Sequence, residues 1–277
     1  MATVTATIRD RTMSADRVFG LAFGTIAHNP LVTLGLAFLF GAIPTFLSTY
    51  VVGILRSESI RTATAGQVVS VQKYVYAFYG ITVISWLLSL MIMALTQAVL
   101  TRATVAEGEQ RHASFAESLG AGLRVLLPLV VLMVLLGLAV MTGLILFIVP
   151  GVILYVMWSV ATPALVQERG GVLYAFSRSR ELTRGARWKI FGILLVLLIV
   201  YWLISALSGI LMLMSGGMNA AALAMQQQQM PLGFVALTLV VGTITNVLWG
   251  TIQASLYVEL KQWKEGDSVE NLEQVFA

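Results

Sequence analysis

Six stretches of this chain are apolar enough, for long enough, to cross a bilayer, and that constrains the fold more than any other feature. A helix crossing the ~30 Å hydrocarbon core needs about 20 predominantly apolar residues. Every backbone polar group must be paired within it, since the bilayer core offers no water. The stretches are 31–55, 75–100, 125–149, 151–166, 190–214 and 232–258. The third and fourth run together with only Pro150-Gly151 between them, and Pro-Gly favours a tight turn. One uninterrupted helix would be too long for any bilayer, so a tight hairpin is expected there. The fourth stretch is short and contains Pro163, which predicts a kink or a tilt.

The rest of the composition narrows the class. Of 277 residues, 58% are hydrophobic and 11% charged, where a soluble domain carries roughly 25% charged residues. So few charges cannot cover a water-facing surface. A soluble enzyme and a disordered chain are excluded, and an all-α polytopic membrane bundle is expected. The chain has no cysteine, which excludes disulfides, thiolate catalysis, zinc–thiolate sites and iron–sulfur clusters. The polar segment 1–13 is not followed by a short apolar core with a small-residue cleavage site, so no cleavable signal peptide is expected.

The basic residues orient the spans. On one side lie Arg9, Arg11, Arg17, Arg102, Arg111, Arg124, the group from Arg169 to Lys189, and Lys261 and Lys264, 14 in all; on the other lie only Arg56, Arg61 and Lys73. By the positive-inside rule both termini are cytoplasmic. The loop holding Gln226–Gln229 then faces outside, and a bacterial inner membrane is the expected location. Residues 259–277 form a cytoplasmic tail. In it Asp267 with Glu270 predicts a capped helix start, and Val269, Leu272 and Phe276 follow on one face.

Each inside-to-outside crossing is preceded by a shorter helical pattern. The first covers 14–28, with Val18, Phe19, Ala22, Phe23 and Ile26 at helical spacing. The second covers 114–124, opened by the capping box Ser114-x-x-Glu117 and continued by Phe115, Leu119 and Leu123. The third covers 173–187, with Ala175, Ser179, Leu182 and Ala186 on one face and Ser177, Arg180, Arg184 and Arg187 on the other. The chain therefore reads as three units, each a cytoplasmic interfacial helix followed by a helical hairpin.

No Asp, Glu, Lys, Arg or His falls inside the six spans. Such groups are costly in a membrane and usually mark ion paths or proton relays, so proton-coupled transport and intramembrane metal chemistry are disfavoured. The polar residues within the spans include Gln97, Asn246 and Gln253, the candidates for a polar bundle interior. Gly242, Asn246, Gly250 and Ala254 recur every four residues, a seam that reads as close helix packing with an interhelical hydrogen bond. Pro44 sits mid-span and predicts a bend. Nucleophile-elbow, phosphate-loop and zinc-protease motifs are absent. His28 and His112 have only Glu107, Glu109 and Glu117 as nearby carboxylates, so neither a metal nor another cofactor is expected.

The richest segment is 174–189, YAFSRSRELTRGARWK. As one continuous helix it would place Arg180, Arg184 and Arg187 on a single face, with Trp188 at the bilayer entry as an interfacial anchor. Basic residues at a cytoplasmic surface attract anionic lipid with about 1 kcal/mol each. Arg178, Arg180, Arg184, Arg187 and Lys189 are thus the candidate headgroup contacts. The expected partners are membrane lipids, anionic ones foremost, and a protein at the cytoplasmic face; nucleic acid is not expected.

FSRSRELTRGARWKIFG (176–192), the preceding VPGVILYVMWSVATPALV (149–166) and the closing LYVELKQWKEG (256–266) carry a resemblance. Together they resemble the membrane domain of glycerophosphoryl diester phosphodiesterases and its stand-alone six-helix bacterial relatives. In the fused relatives a soluble phosphodiesterase domain follows the membrane part. Here 19 residues follow the last span, where a catalytic (β/α)₈ barrel needs roughly 250. The resemblance therefore implies a six-helix module without the catalytic domain. The expected function is a non-enzymatic, lipid-contacting or partner-scaffolding membrane module, with a permease for a neutral or lipid-like solute as the alternative.

Overall fold

The computed structural model describes residues 13–28, 30–44, 46–47, 71–109, 115–214 and 232–276, and among these the chain is helical throughout, with no strand. The helices are α1 (Ala15–His28), α2 (Pro30–Ala37), α3 (Val71–Gly108), α4 (Phe115–Leu146), α5 (Ile148–Met157), α6 (Ala161–Glu168), α7 (Val172–Thr183), α8 (Arg187–Met214) and α9 (Leu232–Phe276). Five helical stretches are long and apolar enough to cross a membrane: Thr82–Gly108, Glu117–Leu146, Ile148–Glu168, Arg187–Leu211 and Val235–Gly266. The first expected span is helical from residue 30 to 44, and its remainder from 48 lies outside the described residues, as do the loop with Gln226–Gln229, Ser114 and His112.

Outward-facing side chains identify the surroundings. Leu127, Ile145, Phe147, Trp202 and Leu203 are between 64% and 79% exposed and are five of the many large apolar side chains left exposed along the long helices, an apolar belt. Soluble monomers rarely expose apolar patches beyond a few hundred Å², so this belt is a lipid-facing surface. The packed core lies toward one end. One cluster joins Val18 and Ala22 of α1, Leu182 of α7, Ile190 and Leu197 of α8, and Leu256 of α9. A second joins Ala94 and Ala98 of α3, Leu129 of α4, Leu165 of α6 and Ala175 of α7.

The prolines and glycines shape the spans in ways that differ from the sequence reading. The α4–α5 hairpin turns at Phe147, in extended conformation at φ −158° and ψ 141°, and not at Pro150-Gly151. Pro150 instead sits in the first turn of α5, where its missing N–H has no intrahelical partner to lose. Gly151 is needed for close approach: a Cβ there would lie 2.5 Å from Leu144 Cγ and 2.7 Å from the Leu144 backbone nitrogen. Pro163 likewise opens α6, and the fourth span breaks at Trp158–Val160. The break leaves the Met157 carbonyl to accept hydrogen bonds from Ser179 Oγ at 2.9 Å and Thr183 Oγ1 at 3.2 Å, so α7 caps the end of α5. Ahead of Pro44, residues 38–42 form a π turn in which the Ile43 N–H reaches the Phe38 carbonyl. A π turn is a known way to absorb a perturbed helical ladder.

Two expected short helices merge into longer ones, the first keeping its expected start and the second losing it. The segment 115–124 is the beginning of α4 itself. The tail is the end of α9, whose backbone continues to Phe276 with no new start at Asp267. Extending an existing helix avoids the cost of nucleation, so a capping sequence need not begin a new one.

Candidate functional site

The carboxylate closing α6 organises the end of the bundle where α6, α7 and α9 meet. After Glu168 the backbone turns through Arg169 at φ +51° and Gly171 at φ +89°. This reversal carries α7 back so that Arg178 lies over Glu168. Arg178 Nε donates to both Glu168 oxygens at 2.9 Å. Its Nη2 pairs with Glu265 of α9, and its Nη1 lies 3.6 Å from Glu181. The hydroxyls of Tyr174 and Tyr257 each donate to Glu168 at 2.8 Å. Arg178 and Glu168 side chains are both 14% exposed, Glu265 41% and Glu181 71%. Burial opposes the Arg178 charge, but its bonds to Glu265 and Glu168 outweigh that and hold the guanidinium protonated above its usual range. The Glu168 carboxylate likewise raises the Tyr174 phenol above its ordinary value.

Further polar ties close the same end. Arg17 Nε donates to both oxygens of buried Glu259 at 2.9 Å, and the Ser14 amide donates to Oε1 at 3.1 Å, fixing α1 to α9. Arg102 donates to Gln167 Oε1 at 3.0 Å and to Glu117 Oε1 at 3.2 Å, joining α3, α6 and α4. His28 Nδ1 lies 2.8 Å from Glu107 Oε1. Among the described residues no three His, Asp or Glu side chains converge as a metal site. Beside the Arg178 cluster lies a cavity of about 490 Å³, between the end of α3, Gln167 and the outer turns of α9. Glu109, Gln167, Tyr257, Lys261, Gln262 and Glu265 are its polar lining.

The candidate headgroup residues separate into groups. The expected single face of Arg180, Arg184 and Arg187 does not form. Arg184 is extended at φ −64° and ψ 123°, Gly185 is left-handed at φ +93°, and Arg187 opens a new helix. A left-handed glycine is a usual helix terminator, and this one also admits the Trp263 ring, 3.3 Å from where a Cβ would sit. The opposite face does pack: Ala175, Ser179, Leu182 and Ala186 are all buried. Arg178 is engaged by carboxylates. Lys189 donates to the Met13 carbonyl at 2.9 Å, and Arg187 is half-buried with its Nε enclosed. Arg180 and Arg184 remain exposed. Trp188 beside them is 86% exposed.

The interior candidates share no hydrogen bond with one another among the described residues. Gln97 is buried with its Oε1 unpartnered. Asn246 donates to the Gly242 carbonyl of its own helix at 2.8 Å, in place of the expected interhelical bond. Gln253 is half-buried. None of the three lines the 490 Å³ cavity. The seam on α9 is a packing surface: Gly250 abuts Leu100 of α3, and Asn246 lies beside Gly41.

Met13 and Leu260, which bracket the described region up to the outer turns of α9, are buried in the same core cluster. Residues 13–260 match the family described as a domain of unknown function, DUF7847. The chain belongs to that family. No curated protein and no solved structure matches it. The DUF7847 match takes in Arg17, Glu168, Arg178 and Glu259 but stops short of Lys261 and Glu265. Sequence reading had missed Glu168, Tyr257, Glu259 and Glu265. The available signal was a carboxylate directly at the end of an apolar span, as at Glu168 and Glu259, which demands a partner.

Proposed function

We propose that this chain is a non-enzymatic, six-span bacterial inner-membrane module whose cytoplasmic end binds anionic lipid through a sparse set of outward-facing arginines. The apolar stretch 31–55 is the sixth crossing in this reading. Both termini lie in the cytoplasm, and α1 and α7 lie along the interface. The resemblance to the membrane domain of glycerophosphoryl diester phosphodiesterases supports the same six-helix architecture. The observation that carries the reading is the division of labour on α7 and the start of α8. Arg178 is neutralised internally, while Arg180 and Arg184 are exposed and make no ion pair among the described residues. Trp188 adds an exposed ring suited to the headgroup region.

At about 1 kcal/mol per basic residue, replacing both arginines in R180Q/R184Q weakens retention of phosphatidylglycerol by roughly thirtyfold. Native mass spectrometry against phosphatidylcholine measures this, and raised salt reduces the difference because exposed charges are screened. Full anionic preference in the double variant would reduce these arginines to topology signals. A second reading, a permease for a neutral or lipid-like solute, draws on Gln97, whose buried oxygen lacks a partner. Flux of such a solute in proteoliposomes, lost in Q97L, would favour it.

A further inference from the structure

We propose that Arg187, at the foot of α8, binds the phosphate group of a membrane phospholipid, whatever headgroup that phosphate carries. This rests on the reading above in placing this end of the bundle at the cytoplasmic interface. It gives Arg187 a task different from that of Arg180 and Arg184.

The three arginines between the end of α7 and the start of α8 make no ion pair among the described residues, but they are not alike. Arg180 and Arg184 are exposed, whereas Arg187 is half-buried. Of the three Arg187 guanidinium nitrogens, Nε is the one enclosed without a hydrogen-bond partner. The Nη1–Nη2 end is therefore open to the outside. Packing holds the side chain, and no protein acceptor takes its donors. A planar guanidinium presents a fixed fork that fits two oxygens of one phosphate, and such charge-assisted bonds are the strong ones. A fork already held in place loses less freedom on binding than one on a mobile side chain. An exposed arginine acts instead on the net charge of the lipid surface.

The turn that presents Arg187 is itself built. Gly185 is left-handed at φ +93°, and Trp263 of α9 packs 3.3 Å from where its Cβ would sit. The Ala186 N–H donates to the Thr183 carbonyl at 3.1 Å, and the Ala186 carbonyl accepts from the Ile190 N–H at 3.0 Å. Ala186 and Ile190 are buried on either side of Arg187 in the sequence. Lys189 ties the same turn to the Met13 carbonyl.

The register of α8 sets the depth. Ile190, Leu194 and Leu197 are buried, while Leu195, Leu198 and Ile199 are exposed. Arg187 shares a row with Phe191, Leu194 and Leu198, at the margin between those two faces. Helical side chains tilt toward the helix N-terminus, which directs the guanidinium to the interface and away from the span. Trp188 beside it is 86% exposed and meets Phe191 edge-on at 6.1 Å between ring centroids. An exposed tryptophan at a span end marks the headgroup level. Every phospholipid carries its phosphate at that level, so a fixed guanidinium there meets the same group in anionic and zwitterionic lipids.

Native mass spectrometry of the full chain in detergent tests this with phosphatidylglycerol, phosphatidylcholine and water-soluble glycerol phosphate. R187Q is expected to lower retention of both lipids by the same factor, about tenfold, and to leave the preference for phosphatidylglycerol intact. R187K keeps the charge and most of the stem but loses the planar fork, and should stay at least about threefold below the unaltered chain. Thermal unfolding of each variant checks the fold, and R187K decides the matter if R187Q does not fold. Displacement of lipid by glycerol phosphate from the unaltered chain, but not from R187Q, supports the phosphate contact with a free ester as a second source. Equal losses in R187Q without such displacement support the contact with lipid as its source. A loss confined to phosphatidylglycerol, or no loss in either variant, overturns the proposal. R180Q/R184Q separates the two readings, because it lowers the phosphatidylglycerol preference that R187Q leaves intact. A lowered preference there beside an inert R187Q sinks the phosphate contact alone. An unchanged preference beside equal losses in R187Q sinks the arginine surface alone.

Discussion

Removing the Arg178 charge tests the pairing that holds α7 against α6 and α9. Taking one partner from a buried ion pair typically costs 3–5 kcal/mol, because the other charge is left uncompensated. Here the penalty is smaller. Both side chains keep 14% exposure, and Glu168 retains the hydroxyl bonds of Tyr174 and Tyr257. The arms to Glu265 and Glu181 are 41% and 71% exposed on the acidic side, so each contributes at most about 1 kcal/mol. R178Q is therefore expected to destabilise by about 2–3 kcal/mol and E168Q by a similar amount. The double variant R178Q/E168Q should cost about 3 kcal/mol, leaving a coupling of about 2 kcal/mol, within the range for directly paired groups. E265Q should cost less than about 1 kcal/mol. Equilibrium unfolding in detergent micelles measures all four variants. Additive single costs, with a coupling below about 0.5 kcal/mol, would refute the claim that Arg178 and Glu168 form the principal tie.

The hairpin and the broken span give two more expectations. G151A is expected to cost about 2 kcal/mol, since the new Cβ meets the Leu144 backbone at 2.7 Å; G137A, with nothing within 4 Å, should be neutral or slightly stabilising in the same assay. S179A alone is expected to lose under about 1 kcal/mol, because Thr183 still reaches the Met157 carbonyl at 3.2 Å. S179A/T183V leaves that carbonyl bare and should lose about 2 kcal/mol, more than the sum of the singles.

The long apolar runs were legible in the sequence because a bilayer imposes length and composition directly. Five of the six expected spans recur as apolar helical stretches, and the apolar face chosen for α7 is the buried one. What escaped was where helices stop. Pro150 and Pro163 read as breakers but sit in first turns, so the actual breaks fall earlier, at Phe147 and at Trp158–Val160. Arg180, Arg184 and Arg187 read as one face, but Gly185 takes a left-handed conformation that separates them. The Glu168–Arg178–Glu265 cluster was harder to read because Glu265 lies 87 residues from Arg178, and Glu168, ten residues before Arg178, meets it only through the chain reversal at Arg169 and Gly171. Arg178 consequently looked like its exposed neighbours, although its environment is the opposite of theirs.

The central claim is that this end of the bundle faces the cytoplasm with Arg178 turned inward and Arg180 and Arg184 turned outward. The chain has no cysteine, so single cysteines at 178, 180 and 184 report without background. A membrane-impermeant thiol reagent should label 180 and 184 rapidly from the cytoplasmic side of inverted vesicles, label 178 at least about tenfold more slowly, and label none of them from the outside of intact cells; the tenfold margin corresponds to about 1.4 kcal/mol of protection. Labelling from the outer face, or equal rates at 178 and 180, would contradict the account.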